Sequence, residues 1–142
     1  MVDGSGNWSV TPSVSLPEGS NSLGISFTDP AGNTSPVTIV KVNIDSIAPD
    51  TSLFSTNPVG LSGSTILTSS VNYSFGTTES GSTFECSLDG GAYTGCTSPM
   101  TYSSLSDGTH TIRVRAVDQA GNADMTPIVI TFTKQSIGGG GG

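Results

Sequence analysis

Residues 104–122 read SLSDGTHTIRVRAVDQAGN and hold one complete strand between two turns. Asp107-Gly108 is turn chemistry. From Thr109 to Val117 the pattern alternates, with Ile112, Val114 and Ala116 on one face and Thr111, Arg113 and Arg115 on the other. Alternation of period two marks a half-buried strand. Asp118 to Asn122 then forms a second turn. An earlier copy stands at residues 15–33, SLPEGSNSLGISFTDPAGN. Positions 104 and 15, and positions 122 and 33, differ by the same 89 residues. A period of about 90 is too long for a solenoid repeat and suits a small β-sandwich. The sequence therefore predicts an all-β chain built from two units of one type.

Working outward, the second unit supplies about seven short strands with a turn every 8 to 12 residues, the pattern of an immunoglobulin-like sandwich. Expected strands cover Thr51–Phe54, Thr65–Leu67, Ser70–Phe75, Thr83–Leu88, Ala92–Cys96, Thr109–Val117 and Ile128–Thr133. In the first unit Ser22–Thr28 alternates on Leu23, Ile25 and Phe27, and Val37–Ile44 returns. Pro12 demotes Ser9–Leu16 to an edge or irregular segment. Asp45 to Asp50, DSIAPD, reads as a short, semi-rigid joint. The expected domains are 1–46, the C-terminal half of an immunoglobulin-like unit, 47–135, a complete one, and 136–142, a glycine-rich tail.

Composition narrows the function classes. Only 11% of the 142 residues are charged, and 11 acidic residues against 4 basic ones give a net charge of −7. Phosphate backbones are bound by clustered Lys and Arg, so a nucleic-acid partner is disfavoured, and an anionic membrane surface with it. Cys86 and Cys96 flank an Asp-Gly-Gly turn and can face each other across a hairpin; a disulfide is expected, the alternative being two reduced, partly buried thiols. With one His and no second Cys pair, zinc is disfavoured. A disulfide would place the chain outside a reducing cytosol. The opening residues MVDGSGNWSV do not read as a signal peptide, and no run is apolar enough to span a membrane.

Both copies resemble the tandem bacterial immunoglobulin-like repeats of large surface and secreted proteins, adhesins among them. In the first, DGSGNWSVTP, the Asp-x-Ala-Gly-Asn tip of residues 29–33 and the Asp-x-x-Ala-Pro joint of residues 45–49 carry the resemblance. In the second, STFECSLDGGAYTGCTSPMTYSSLSDGTHTIRVRAVDQAGNAD is similar to a Cys-bearing subtype of such repeats. The resemblance implies a stalk, spacer or adhesive segment, an extracellular or cell-surface location, and neighbouring repeats or copies of the same chain as partners. It implies calcium as the candidate ion.

The residues that could carry chemistry are few. Calcium takes six to eight oxygens from carboxylates, amides and carbonyls. Asp118, Asn122 and Asp124 lie close in sequence, and Asp45 and Asp50 flank the joint, so these five are the candidate ligands. The structural reading of the tips is that the Asp accepts backbone N–H groups in a turn. Trp8, Tyr93 and Tyr102 are candidate stacking residues for a glycan. His110 is expected in a surface or turn-packing role. Glu79 and Glu85 are the carboxylates a glycosidase would need, with nothing to place them in a cleft. Lys41 and Lys134 are read as exposed lysines rather than isopeptide partners. No nucleophile or phosphate-loop motif is present, and no enzymatic activity is expected. The alternatives to a structural repeat are a carbohydrate- or protein-binding accessory module, for instance toward a host-surface protein or glycan, and a subunit completed by a strand from another chain.

Overall fold

The computed structural model describes residues 9–138. The chain divides into two compact units, Met1–Ser46 and Ile47–Gly142. All regular structure among the described residues is β.

The first unit is an antiparallel hairpin of β1 (Gly19–Ile25) and β2 (Thr38–Ile44), in register from Gly19 opposite Ile44 to Ile25 opposite Thr38. Residues 9–18 form no strand, as Pro12 and Pro17 lead one to expect. At the open end of the hairpin the Ser46 N–H and hydroxyl both donate to the Glu18 carboxylate. Leu23, Ile25, Val42 and Ile44 share the apolar face and are half-buried. The strand stops short of Phe27, which is exposed. Its N–H and C=O bond instead to Ser35, closing the neck of the tip.

The second unit has eight strands: β3 (Thr51–Asn57), β4 (Thr65–Ile66), β5 (Val71–Thr77), β6 (Thr83–Leu88), β7 (Thr94–Cys96), β8 (Met100–Tyr102), β9 (Gly108–Val117) and β10 (Ile128–Lys134). They make two sheets, in the orders β3-β5-β8 and β4-β10-β9-β6-β7. The first of the expected strands runs on to Asn57, with a bulge between Leu53 and Ser55. Pro58 and the left-handed Gly60 then end it, and the chain crosses to the other sheet, where β4 pairs parallel to β10. This division of the leading strand between two sheets, with the last strand beside its second half, is an immunoglobulin-like arrangement.

The core lies between the sheets. From the three-stranded sheet come Val71, Tyr73 and Phe75; from the five-stranded one come Ile66, Cys86, Ile112, Val114, Ile130 and Phe132; Leu61 and Leu105 fill in from loops. Every inward residue obeys the two-residue period of its strand. The aromatic share is small, and it is concentrated here: Phe75 meets Phe84 edge-on at 4.9 Å, and Tyr73 stacks on Tyr102 at 6.0 Å.

Candidate functional site

The Asp-x-Ala-Gly-Asn tips are built twice, bond for bond. In the first unit the Asn33 N–H donates to Asp29 Oδ1 at 2.8 Å and Asn33 Nδ2 to Asp29 Oδ2 at 2.8 Å. In the second the Asn122 N–H donates to Asp118 Oδ1 at 2.8 Å and Asn122 Nδ2 to Asp118 Oδ2 at 2.7 Å. Backbone bonds repeat too: the Asp N–H reaches the Asn carbonyl in both tips, and the Gly N–H reaches the Asp carbonyl. The glycines take the same left-handed conformation, φ +91° at Gly32 and +94° at Gly121. The side-chain and backbone bonds from Asn33 lower the pKa of Asp29. At Asp118 burial alone would raise it, but the bonds from Asn122 and the tip backbone hold it below the ordinary carboxylate value.

Asp124 joins Asp118 and Asn122 in the same turn region but does different work. Its Oδ2 accepts the Thr51 N–H at 2.8 Å, and its Oδ1 accepts both the Thr126 N–H and hydroxyl. Burial pushes its pKa up and these bonds outweigh it. Asp50 is exposed and takes part through its backbone, which pairs with Thr78 ahead of β3. Asp45 follows the end of β2 in the first unit. So Asp118 and Asn122 are bonded to each other, Asp124 is bonded to Thr51 and Thr126 instead, and each carboxylate oxygen of the two aspartates accepts a hydrogen bond.

Cys86 and Cys96 form a disulfide with Cα atoms 5.8 Å apart. It links β6 to the three-residue edge strand β7, diagonally across a register that places Cys96 opposite Phe84. The aromatic candidates separate. Tyr93 lies beneath the Arg115 guanidinium, 4.1 Å from ring centroid to Cζ, while Tyr102 sits in the other sheet against Tyr73. Trp8 lies outside the described residues. Glu85 is ion-paired to Arg115 at 2.8 Å. Open grooves occur on the second unit, one of about 230 Å³ lined by Asn57, Pro58, Thr68, Ser70 and Asn72. Among the described residues no helix is long and apolar enough to cross a membrane.

Two residues sit deeper than the sequence suggests. Of the two roles expected for His110, surface and turn-packing, the structure shows the second: it is 6% exposed, with Nδ1 2.7 Å from Asp89 Oδ2 and Nε2 3.0 Å from the Ser106 carbonyl. Lys134 is also buried, and its Nζ donates to Asp107 at 2.5 Å and to Ser136. The reason is strand parity. His110 continues the inward series of Ile112, Val114 and Ala116, and Lys134 continues that of Ile130 and Phe132. Extending each alternation by two residues would have found both.

The two sheets of the second unit make an immunoglobulin-like sandwich, and its tip recurs in the first unit. Residues 1–46 match the family model described as Bacterial Ig-like domain. Eighteen chains of solved structures match. One is described as the extracellular domain of the one-component system BT4673 of B. thetaiotaomicron. It is 14% identical with a TM-score of 0.51, over 78% of this chain and 20% of that one. At that identity the likeness is one of fold, and this chain spans about a fifth of its length. No curated protein matches.

Proposed function

We propose that the chain is a load-bearing segment of an extracellular bacterial protein, a stalk or spacer of immunoglobulin-like repeats with no catalytic role. The observation that carries this reading is the parallel β4–β10 pair. These strands lie toward the two ends of the second unit, and Ser64, Ile66 and Thr131 carbonyls accept the N–H groups of Thr133, Gln135 and Gly63 at 2.7–2.9 Å. Tension on the ends of this unit loads such bonds together, in shear, rather than unzipping them singly. The disulfide and the likeness to an extracellular domain support placement outside the cytosol.

The expected partners are further repeats. In β9 and β10, Ile112, Val114, Ile130 and Phe132 are fully covered by the β3-β5-β8 sheet. The matching face of the first hairpin is less covered, and Val40, which pairs with Leu23 as Ile130 pairs with Ile112, is 37% exposed. A two-stranded hairpin alone is marginal. A strand-rich neighbour covering that face, whether another part of a longer protein or another chain, fits the reading. Calcium belongs to it as a proposed stiffening ion, with Asp118 and Asn122 as the candidate ligands within the second unit; a melting temperature equal in calcium and in chelator would remove the ion and leave the stalk.

Force spectroscopy tests the load-bearing role. Gln135→Pro deletes one N–H of the parallel pair at the chain end. The unfolding force of the second unit is expected to fall while its equilibrium stability changes little. An unchanged force would overturn the proposal.

A further inference from the structure

We propose that His110 is a pH-operated latch of the second unit: as the imidazolium it ties the β8–β9 corner to the β6–β7 turn, and on losing its proton it lets go of one of them.

The geometry rests on two acceptors. The Ser106 carbonyl, in the corner before β9, faces Nε2 at 3.0 Å, and the Asp89 carboxylate, in the turn after β6, faces Nδ1 at 2.7 Å. Neither can donate. A neutral imidazole carries one N–H and so satisfies one of them, while leaving its lone pair aimed at the other; the imidazolium satisfies both. Asp89 is committed to this place. It holds a left-handed φ of +52°, its Oδ1 accepts the Thr111 N–H at 2.8 Å, and its own N–H donates to the Thr111 carbonyl. The carboxylate therefore cannot turn away when the ring loses its proton without giving up the strand beside it.

The groups around the ring are few. Asp89 comes from the β6–β7 turn, and Phe132 packs against the ring from β10 with centroids 5.7 Å apart. Lys134, also on β10, opposes the charged form, but Asp107 neutralises it at 2.5 Å. The pKa of His110 is accordingly raised, by the Ser106 carbonyl first and the Asp89 carboxylate next, against burial and Lys134. Stability from the latch is thus complete below the ordinary value of 6.5 and is lost as pH rises through the higher folded-state value.

The first unit supplies an internal comparison. Asn21 stands 89 positions before His110, and Pro17 the same distance before Ser106. Asn21 Nδ2 donates to the Pro17 carbonyl at 2.8 Å. The same corner is thus closed by an amide, which donates at every pH, in one copy and by a titrating ring in the other. Immunoglobulin-like folds often close this corner with a tyrosine hydroxyl, equally indifferent to neutral pH.

The chain has one histidine, so its imidazole resonances are unambiguous. An NMR titration of the full chain is expected to give a midpoint above 6.5, lowered in Asp89→Asn. Melting of the second unit is expected at lower temperature at pH 8 than at pH 6, and this difference is expected to vanish in His110→Asn, which puts in place of the ring the amide that closes the first unit's corner. A wild-type midpoint at or below 6.5 overturns the latch, as does an equal pH dependence in wild type and His110→Asn. Should His110→Asn fail to fold, the wild-type titration and the Asp89→Asn shift decide alone.

Discussion

Asp124 accepts the backbone N–H of Thr51 at 2.8 Å, across 73 residues of chain. The Thr51 hydroxyl in turn accepts the Ala116 N–H at 2.8 Å. Thr51 begins β3 in one sheet, and Ala116 lies in β9 of the other, so a single threonine and a single aspartate hold the end of the sandwich shut. Asp124 is 3% exposed. Asp124→Ala leaves the Thr51 and Thr126 donors unsatisfied and is expected to cost about 3 kcal/mol of second-unit stability by urea denaturation, since buried hydrogen bonds to a charged group are the strong ones. Asp124→Asn retains one acceptor and is expected to cost less. A loss below about 0.5 kcal/mol in the alanine variant would show that the link contributes little.

The two tips predict a matched pair of losses. Gly32 and Gly121 hold φ near +90°, and a Cβ built on either meets nothing within 4 Å. Alanine there pays no steric contact and only the left-handed backbone penalty, about 1 kcal/mol. Gly121→Ala is expected to destabilise the second unit by that amount. Gly32→Ala is expected to leave the second unit's melting unchanged and loosen amide protection around Asp29 and Asn33 in the first. Hydrogen exchange read by NMR separates these two outcomes.

The fold was legible because its strands keep strict parity and its turns repeat. The inward set Ile112, Val114 and Ala116 and the tips at Asp29 and Asp118 could be read directly. What the sequence concealed was long-range. Nothing near Asp124 points to Thr51, and nothing near His110 points to Asp89, 21 positions earlier. The neighbour that the sequence offers His110, Asp107, belongs to Lys134 instead. The Asp118–Asn122 pairing was legible as a turn signature, whereas the commitment of both Asp124 oxygens to Thr51 and Thr126 depends on a strand 73 residues earlier.

Acid should loosen the second unit. Asp89, Asp107, Asp118 and Asp124 all have pKa values below the ordinary carboxylate value. A depressed folded-state pKa gives stability that is present above the unfolded value near 4 and lost as pH falls through the folded one. Calorimetric melting is therefore expected to hold steady from pH 6 to about pH 4 and to drop steeply below it. Asp118→Asn should flatten part of that drop, because the amide still accepts a bond and has no proton to gain. An unchanged slope in this variant would assign the acid sensitivity to the other three.

Removing the disulfide should act locally before it acts globally. Cys86 and Cys96 are 10 positions apart, so reduction frees a short loop, and loop-closure entropy puts the loss at roughly 3 kcal/mol. The loss should fall on β7. That strand has three residues, stands at the sheet edge, and pairs only with β6. Beside it Arg115 ties Glu85 on β6 and Tyr93 just ahead of β7. Those contacts are half-buried and are expected to hold β7 only weakly without the covalent link. Under reductant, or in the Cys86→Ala, Cys96→Ala double variant, exchange protection should vanish first in Thr94–Cys96 while that of Ile112 and Val114 persists. An edge strand released this way exposes unpaired N–H and C=O groups, so the reduced chain should also associate more readily at high concentration, read by light scattering. Uniform loss of protection across β9 and β7 together would mean that the disulfide holds the whole sandwich rather than its edge.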